Sequence, residues 1–303
     1  MVKILVTDSI HGEGIKILER IGEVDVKTGL NPKQLLAEIK GYEVLVVRSA
    51  TKVTKEIIDA GGKLKIIARA GVGLDNIDVQ AAGSRGIELI NAPEAPTIAV
   101  AELVIGLMLS WTRQLPRADA SMKQGKWEKT KLMGSELRGK TLGIIGTGRI
   151  GRAVGYRAKV FLMNLLAFDV TKSAEFAERT GVRYVDLDEL LRESDFVTIH
   201  VPVTPRTRHM IGKRELELMK PTAVLVNTSR GEVVDEIALV DVLKRGKIAG
   251  ACLDVYEREP PKDSPMLKLP NVILTPHIGA STVEAQREAA VLVAEKIKVT
   301  IGK

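Results

Sequence analysis

Short apolar runs recur along the chain, and helix-like stretches separate them. The runs are 2–7, 44–47, 65–68, 87–90, 142–146, 165–169, 196–200, 223–227, 248–253 and 272–274. Most are continuously apolar rather than alternating, so the strands they predict are covered on both faces. Helices between such strands make parallel α/β units. The pattern runs twice, one set ending near residue 90 and the next starting near 141. Between them lie an apolar helix over 97–113 and a polar segment over 117–140. Asn31-Pro32 reads as a helix start with proline in the first turn. Ser281 with Glu284 three positions on reads as a capping box, opening a final helix over 282–299. That helix follows the second strand set but is expected to pack back on the first. The domains expected are therefore 1–94 plus 282–303, and 95–281.

Composition narrows the class. Aromatic residues make up only 3% of the 303 residues, so aliphatic side chains and alanine must fill the cores. The single cysteine, Cys252, excludes an intrachain disulfide and a cysteine metal cluster, and no metal is expected. It lies in the apolar stretch 248–255, where a buried, inert thiol is expected. The longest apolar stretch, 98–111, is too short to span a membrane and carries Glu102. No signal peptide is read at the N-terminus, so the location expected is cytoplasmic. The net charge is +7, but no dense basic run or basic-aromatic interleaving points to nucleic acid. An anionic small molecule is the partner that the charge leaves open.

The stretch TLGIIGTGRIG, 141–151, carries the sharpest chemical signal. Gly146, Gly148 and Gly151 follow an apolar run and open a helical one. The first permits a tight turn, the second lets a pyrophosphate approach the backbone, and the third lets the helix pack close. The helix N-terminus offers free N–H groups to phosphate. Asp169 ends the next predicted strand, where a carboxylate accepts hydrogen bonds from ribose hydroxyls and repels a 2′-phosphate. NAD is thus expected over NADP. Gly71 and Gly73, beside Arg69, resemble half such a fingerprint, but Asn76 stands where the third glycine belongs. That loop suits a carboxylate held by backbone N–H groups.

Arg230, Glu259 and His277 follow three late strands of the second set. Ligands of doubly wound sheets collect beyond the carboxyl ends of strands. Taken singly, an arginine or glutamate in a loop is ordinarily just solvated, and a histidine there is ordinarily a turn residue. As a set at neighbouring strand ends they could face the reactive end of a cofactor together.

The stretches GKTLGIIGTGRIGRAV, LVNTSRGEVVDEIAL, GACLDVYEREPP and TPHIGAST resemble those of the D-isomer-specific 2-hydroxyacid dehydrogenases. The narrower stretches VVRSATKVT, RAGVGLDNID, ASMKQGKWEK and LMGSELRGKTLG resemble the branch that oxidises 3-phosphoglycerate for serine synthesis. The resemblance implies an α/β fold of two doubly wound parallel-sheet domains, flavodoxin-like and Rossmann, with a cleft between them. It implies that Arg230 holds the substrate carboxylate, that His277 is the acid/base, and that Glu259 orients it. It implies cofactor contacts from Gly146, Gly148, Arg149, Ile150, Gly151, Asp169, His200, Pro202, Thr207, Thr228, Ser229, Asp254 and Gly279, with Asp254 at the nicotinamide carboxamide. The substrate, a phosphorylated hydroxy acid, falls to Arg48 for the phosphate and the amides of Val72 and Gly73 for the carboxylate. A homodimer through the segment around 100–140 is implied, with Lys129 or Lys131 reaching a neighbouring site.

Two departures stand out. The family often has glycine where this chain has Leu162, which puts a strained left-handed residue at a helix end. The chain also ends at Lys303, leaving no length for a serine-binding regulatory domain, so no feedback by serine is expected. Glyoxylate or hydroxypyruvate reduction is the close alternative activity, and a cofactor-sensing corepressor the distant one.

Overall fold

The computed structural model describes residues 1–302, which divide into two units: 1–99 with 280–302, and Val100–Gly279. The first unit holds β1 (Val2–Val6), α1 (Gly12–Glu19), β2 (Gly22–Val26), α2 (Pro32–Glu38), β3 (Val44–Val47), α3 (Lys55–Ala60), β4 (Ile66–Arg69), α4 (Val79–Ser84) and β5 (Glu88–Asn91). Its strands form one parallel sheet in the order β2-β1-β3-β4-β5. This is the flavodoxin-like order, with its switch point between β1 and β3.

Both faces of that sheet are buried, as continuous apolar strands require. Side chains alternate along each strand, so Ile4, Val6, Val44 and Val46 share one core with Ala289, Val293 and Ile297 of the C-terminal helix. Leu5, Leu45, Val47 and Ile67 join the opposite core with Leu35, Ile39, Ile57 and Ile58. Asn31 caps α2 as the sequence predicts. Its side chain accepts from Gln34 N at 3.0 Å, and the Gln34 side chain accepts from Asn31 N at 2.9 Å.

The second unit starts within α5 (Thr97–Thr112), which α6 (Leu115–Lys123) follows. It continues as β6 (Thr141–Ile145), α7 (Arg149–Val160), β7 (Asn164–Phe168), α8 (Ala174–Thr180), β8 (Arg183–Tyr184), α9 (Leu187–Glu193), β9 (Phe196–Ile199), α10 (Lys213–Leu218), β10 (Val224–Asn227), α11 (Glu236–Lys244), β11 (Gly250–Leu253) and β12 (Val272–Leu274). The parallel order β12-β11-β10-β9-β6-β7-β8 is that of a Rossmann sheet with an added edge strand. The apolar 97–113 stretch is a core helix, and Val104, Leu107 and Met108 are buried against β6 and β10 residues. Among the described residues no single helix is long and apolar enough to cross a membrane. Cys252 is buried, and burial pushes its thiol up to about 12, so it stays an inert thiol.

Three sequence expectations are corrected. The strands β2 and β8 were absent from the apolar runs. Both are edge strands with one neighbour and partly exposed residues, so neither needs a continuous apolar run. The final helix, α12 (Val283–Ile301), is capped by Thr282 rather than Ser281; the Thr282 side chain accepts from Ala285 N at 3.1 Å. Finally, the polar 117–140 segment contains most of α6, whose helical turns carry few apolar residues.

Leu162 does adopt the left-handed conformation, at φ +59°, and is 64% exposed. A side chain there is strained and buries little. Leu162→Gly should therefore stabilise the protein by about 1 kcal/mol. Chemical denaturation would read this as a higher midpoint at unchanged slope; a lower midpoint would mean that the leucine packs usefully.

Candidate active site

The loops after β10, β11 and β12 lie side by side because those strands are neighbours in the sheet. The first loop is shaped by Asn227, whose buried side chain works in both directions. Its Oδ1 accepts from the Ser229 amide at 3.0 Å and the Ser229 hydroxyl at 2.9 Å, and its Nδ2 donates to the Arg230 carbonyl at 2.9 Å. Arg230 itself donates from Nη1 to the Ser229 carbonyl at 2.7 Å. Directly after it, a Cβ on Gly231 would overlap the backbone of Tyr256 and Glu257. Only glycine lets the first two loops come this close.

Glu259 and His277 meet at 2.7 Å between Oε2 and Nδ1, both side chains half-exposed. His277 is raised above its ordinary value of 6.5, first by that hydrogen bond and then by the charges of Glu259 and Asp254; burial and Arg230 oppose the shift. For Glu259, burial pulls upward, but the His277 hydrogen bond and charge and nearby Arg230 hold it below its ordinary 4.5. The two shifts have opposite consequences for stability. The histidine's contribution is full below 6.5 and is lost as pH rises through its raised value. The glutamate's is full above 4.5 and is lost as pH falls through its lowered value. The pair therefore stabilises the fold most between those two reference values.

The His277 backbone lies at φ +53°, left-handed for a non-glycine residue. Asp254, fully buried, holds that loop: its Oδ1 accepts from the Thr275 hydroxyl at 2.6 Å and Ile278 N at 2.8 Å, and its Oδ2 from Gly279 N at 2.8 Å. The Asp254 carboxylate, expected at the cofactor, thus makes its hydrogen bonds within the protein.

The glycine loop lies between β6 and α7. Gly146 takes φ +91°, and a Cβ there would meet the His200 carbonyl at 2.7 Å. A Cβ on Gly151 would overlap the Gly146 carbonyl oxygen, whereas one on Gly148 would meet nothing within 4 Å. So the loop is packed where helix and strand touch and open where a phosphate would lie. Gly148 is the N-cap of α7 and supplies no side-chain cap. Arg149 and Ile150 begin that helix. Asp169 accepts from Thr147 N at 2.5 Å and from the Thr147 hydroxyl at 3.1 Å. Tyr184 reaches the same hydroxyl at 3.1 Å. Thr228, at the end of β10, keeps a buried hydroxyl with no hydrogen-bond partner among the described residues.

His200 turns its ring inward, where Nε2 meets the Thr198 hydroxyl at 2.9 Å and burial pushes it down to about 3; it is neutral at ordinary pH. Thr207 donates to the Pro202 carbonyl at 2.6 Å, closing the turn after β9.

The first unit gathers its own polar set at the carboxyl ends of β1, β3, β4 and β5. Asp8 accepts from Arg48 N at 2.6 Å and from the Thr51 hydroxyl at 2.7 Å. Asn76 donates to the Arg48 and Thr51 carbonyls. Arg69 and Asn91 hold the Val72-Gly73 loop from beneath through the Gly73 and Val72 carbonyls. The Arg48 guanidinium donates to the Ser9 carbonyl at 3.3 Å and has no ion-pair partner among the described residues.

Residues 105–279 match the family model described as "D-isomer specific 2-hydroxyacid dehydrogenase, NAD binding domain". The chain belongs to this family. The D-3-phosphoglycerate dehydrogenase of Methanocaldococcus jannaschii is 56% identical over 98% of the chain, which spans 57% of that relative's length. The hydroxypyruvate reductase of Thermotoga maritima is 48% identical over 99% of this chain and 98% of its own. Aquifex aeolicus D-lactate dehydrogenase, solved with NAD and lactic acid, superposes with a TM-score of 0.88 at 31% identity, covering 99% of this chain and 95% of that one.

NAD is the cofactor of this 2-hydroxyacid dehydrogenase domain. Its residues fit the dinucleotide: Gly148 is open, Asp169 ends the neighbouring strand as a carboxylate, and the buried Thr228 hydroxyl has no hydrogen-bond partner among the described residues. Asn227, Gly231, Thr147, Asp8 and Asn91 shape these sites; the first three lie inside the quoted stretches without being singled out, and Asp8 and Asn91 lie outside them.

The His277 titration tests the geometry without substrate. Followed by NMR at the imidazole carbons, its midpoint should lie above 6.5 and fall in Glu259→Gln. An unmoved midpoint would mean that the 2.7 Å contact does not govern the ring.

Proposed function

We propose that the protein oxidises D-3-phosphoglycerate to 3-phosphohydroxypyruvate with NAD, the entry step of serine synthesis. The observation that carries the chemistry is the His277–Glu259 pair beside Arg230. The choice of substrate is supported by the 56% identity to a phosphoglycerate dehydrogenase and by the Arg48 guanidinium, which has no ion-pair partner among the described residues. When bound at the glycine loop, the nicotinamide supplies the hydride acceptor.

The protein's own residues then divide the work. Arg230 binds the substrate carboxylate and draws electron density toward the reacting oxygen, a task suited to a permanently charged, bidentate group. Glu259 occupies Nδ1 of His277, which leaves Nε2 to take the hydroxyl proton during oxidation and return it during reduction. Because His277 is raised by its partner, oxidation gains rate as pH climbs through that value, and reduction loses it. The Val72 and Gly73 amides are proposed for the carboxylate, and Arg48 for the phosphate. The same reading includes a homodimer through the 100–140 segment. There Leu115, Met122, Trp127 and Met133 are 51–84% exposed, apolar surface that a partner would cover. Lys129 and Lys131 lie in that segment.

Hydroxypyruvate reduction is the second reading, favoured by the 48% identity to the Thermotoga enzyme. The two separate on kcat/KM. 3-Phosphoglycerate should exceed glycerate, and Arg48→Ala should cost roughly 10–100-fold on the phosphorylated acid alone. Equal values for the two acids would sink the phosphate assignment. In a second test, His277→Ala should lower kcat by about 10²–10⁴-fold while NAD affinity holds; wild-type turnover would remove its role.

A further inference from the structure

Tyr256 touches the support of each proposed catalytic side chain. It is 7% exposed and belongs to the same core as Val234, Leu253 and Met266. Its hydroxyl donates to the Thr275 carbonyl at 2.9 Å. That same carbonyl accepts from the His277 amide at 3.1 Å, so one oxygen ties the tyrosine to the left-handed turn bearing the histidine. The Tyr256 amide donates to Glu259 Oε1 at 3.3 Å, while the other carboxylate oxygen meets His277. The Tyr256 carbonyl is the atom group on which Gly231, next to Arg230, packs too closely for any Cβ.

We propose that Tyr256 is a positioning residue which, through its hydroxyl on Thr275 and its amide on Glu259, sets the His277–Glu259 pair against Arg230. This rests on the acid/base reading of His277 given above. The phenol does not titrate in the working range. Burial first, then the charges of Asp254, Glu259 and Glu236, push it up to about 12, so it remains a hydrogen-bond donor throughout. A phenylalanine would fill the same core but leave the Thr275 carbonyl to His277 alone. The turn would then be free to drift from Glu259, and His277 would lose part of the support that raises it. The charged groups that face His277 are Glu259, Asp254 and Arg230, and none of them is altered by the substitution.

The test is Tyr256→Phe in the 303-residue chain, with thermal unfolding and NADH affinity as controls. The NMR midpoint of His277, assigned by its loss in His277→Ala, should drop toward the ordinary 6.5. The acid limb of kcat for oxidation should move to lower pH with it. The plateau kcat should fall about tenfold, as a displaced catalytic group predicts, with KM little changed. If Tyr256→Phe does not fold, 4-fluorophenylalanine at position 256 fills the hydroxyl volume without donating, and the same drop is expected. The midpoint is read without substrate, so a wrong hydroxy acid leaves the test standing. An unchanged midpoint and an unchanged pH profile in a folded variant overturn the proposal.

Discussion

The geometry of the loop that carries His277 depends on one buried carboxylate. Asp254 accepts three hydrogen bonds from the 275–279 loop and is fully buried. A charge so placed is tolerable only because its oxygens are satisfied. In turn it holds His277 at φ +53°, a conformation that costs a non-glycine residue about 1–2 kcal/mol. Without that hold the loop would relax to an ordinary extended turn. The imidazole would then leave Glu259, and neither group would keep its shifted proton affinity. Backbone strain, a buried carboxylate and a half-exposed histidine–glutamate pair are thus one linked arrangement.

Sheet order explains why loops far apart in sequence act together. The strands β10, β11 and β12 are consecutive neighbours, so Arg230, Glu259 and His277 emerge from adjacent carboxyl ends about 5 Å apart per strand. The glycine loop leaves β6, and Asp169 ends the next strand out, β7. From β7 to β11 is four strand spacings, on the order of 20 Å. An extended dinucleotide laid along this edge would have Asp169 at one end and the histidine pair at the other. The close packing at Gly146 and Gly151 keeps α7 near enough for its N-terminus to serve the middle of that path.

The first unit solves a different problem with the same sheet logic. Its Val72-Gly73 loop has no helix N-terminus to lean on; Arg69, Asn76 and Asn91 fasten it and its neighbour by their side chains. Arg69 is largely withdrawn from solvent. Arg48 has its backbone amide held by Asp8 while its guanidinium extends past Ser9. One arginine shapes the loop and the other presents charge, a division of labour that lysine could not reproduce at the fixed fork.

These differences in legibility have physical causes. Continuous apolar runs exposed the central strands, because burial on both faces leaves no room for polar alternation. The edge strands β2 and β8 carry no such constraint and escaped. Glycines 146, 148 and 151 were legible because each must lack a side chain at a fixed offset. Arg230, Glu259 and His277 were ordinary loop residues until a sheet order placed their strands together, and their motifs supplied that order. Asn227, Gly231 and Tyr256 lay inside quoted stretches without a role that the sequence could assign, and Asp8 lay outside them. Three of them act on a backbone group distant in sequence: Tyr256 on Thr275, Gly231 on Tyr256, Asp8 on Arg48. A motif records which side chains meet a ligand. The bonds that aim those side chains run to carbonyls and amides, which every residue possesses, and so leave no compositional trace.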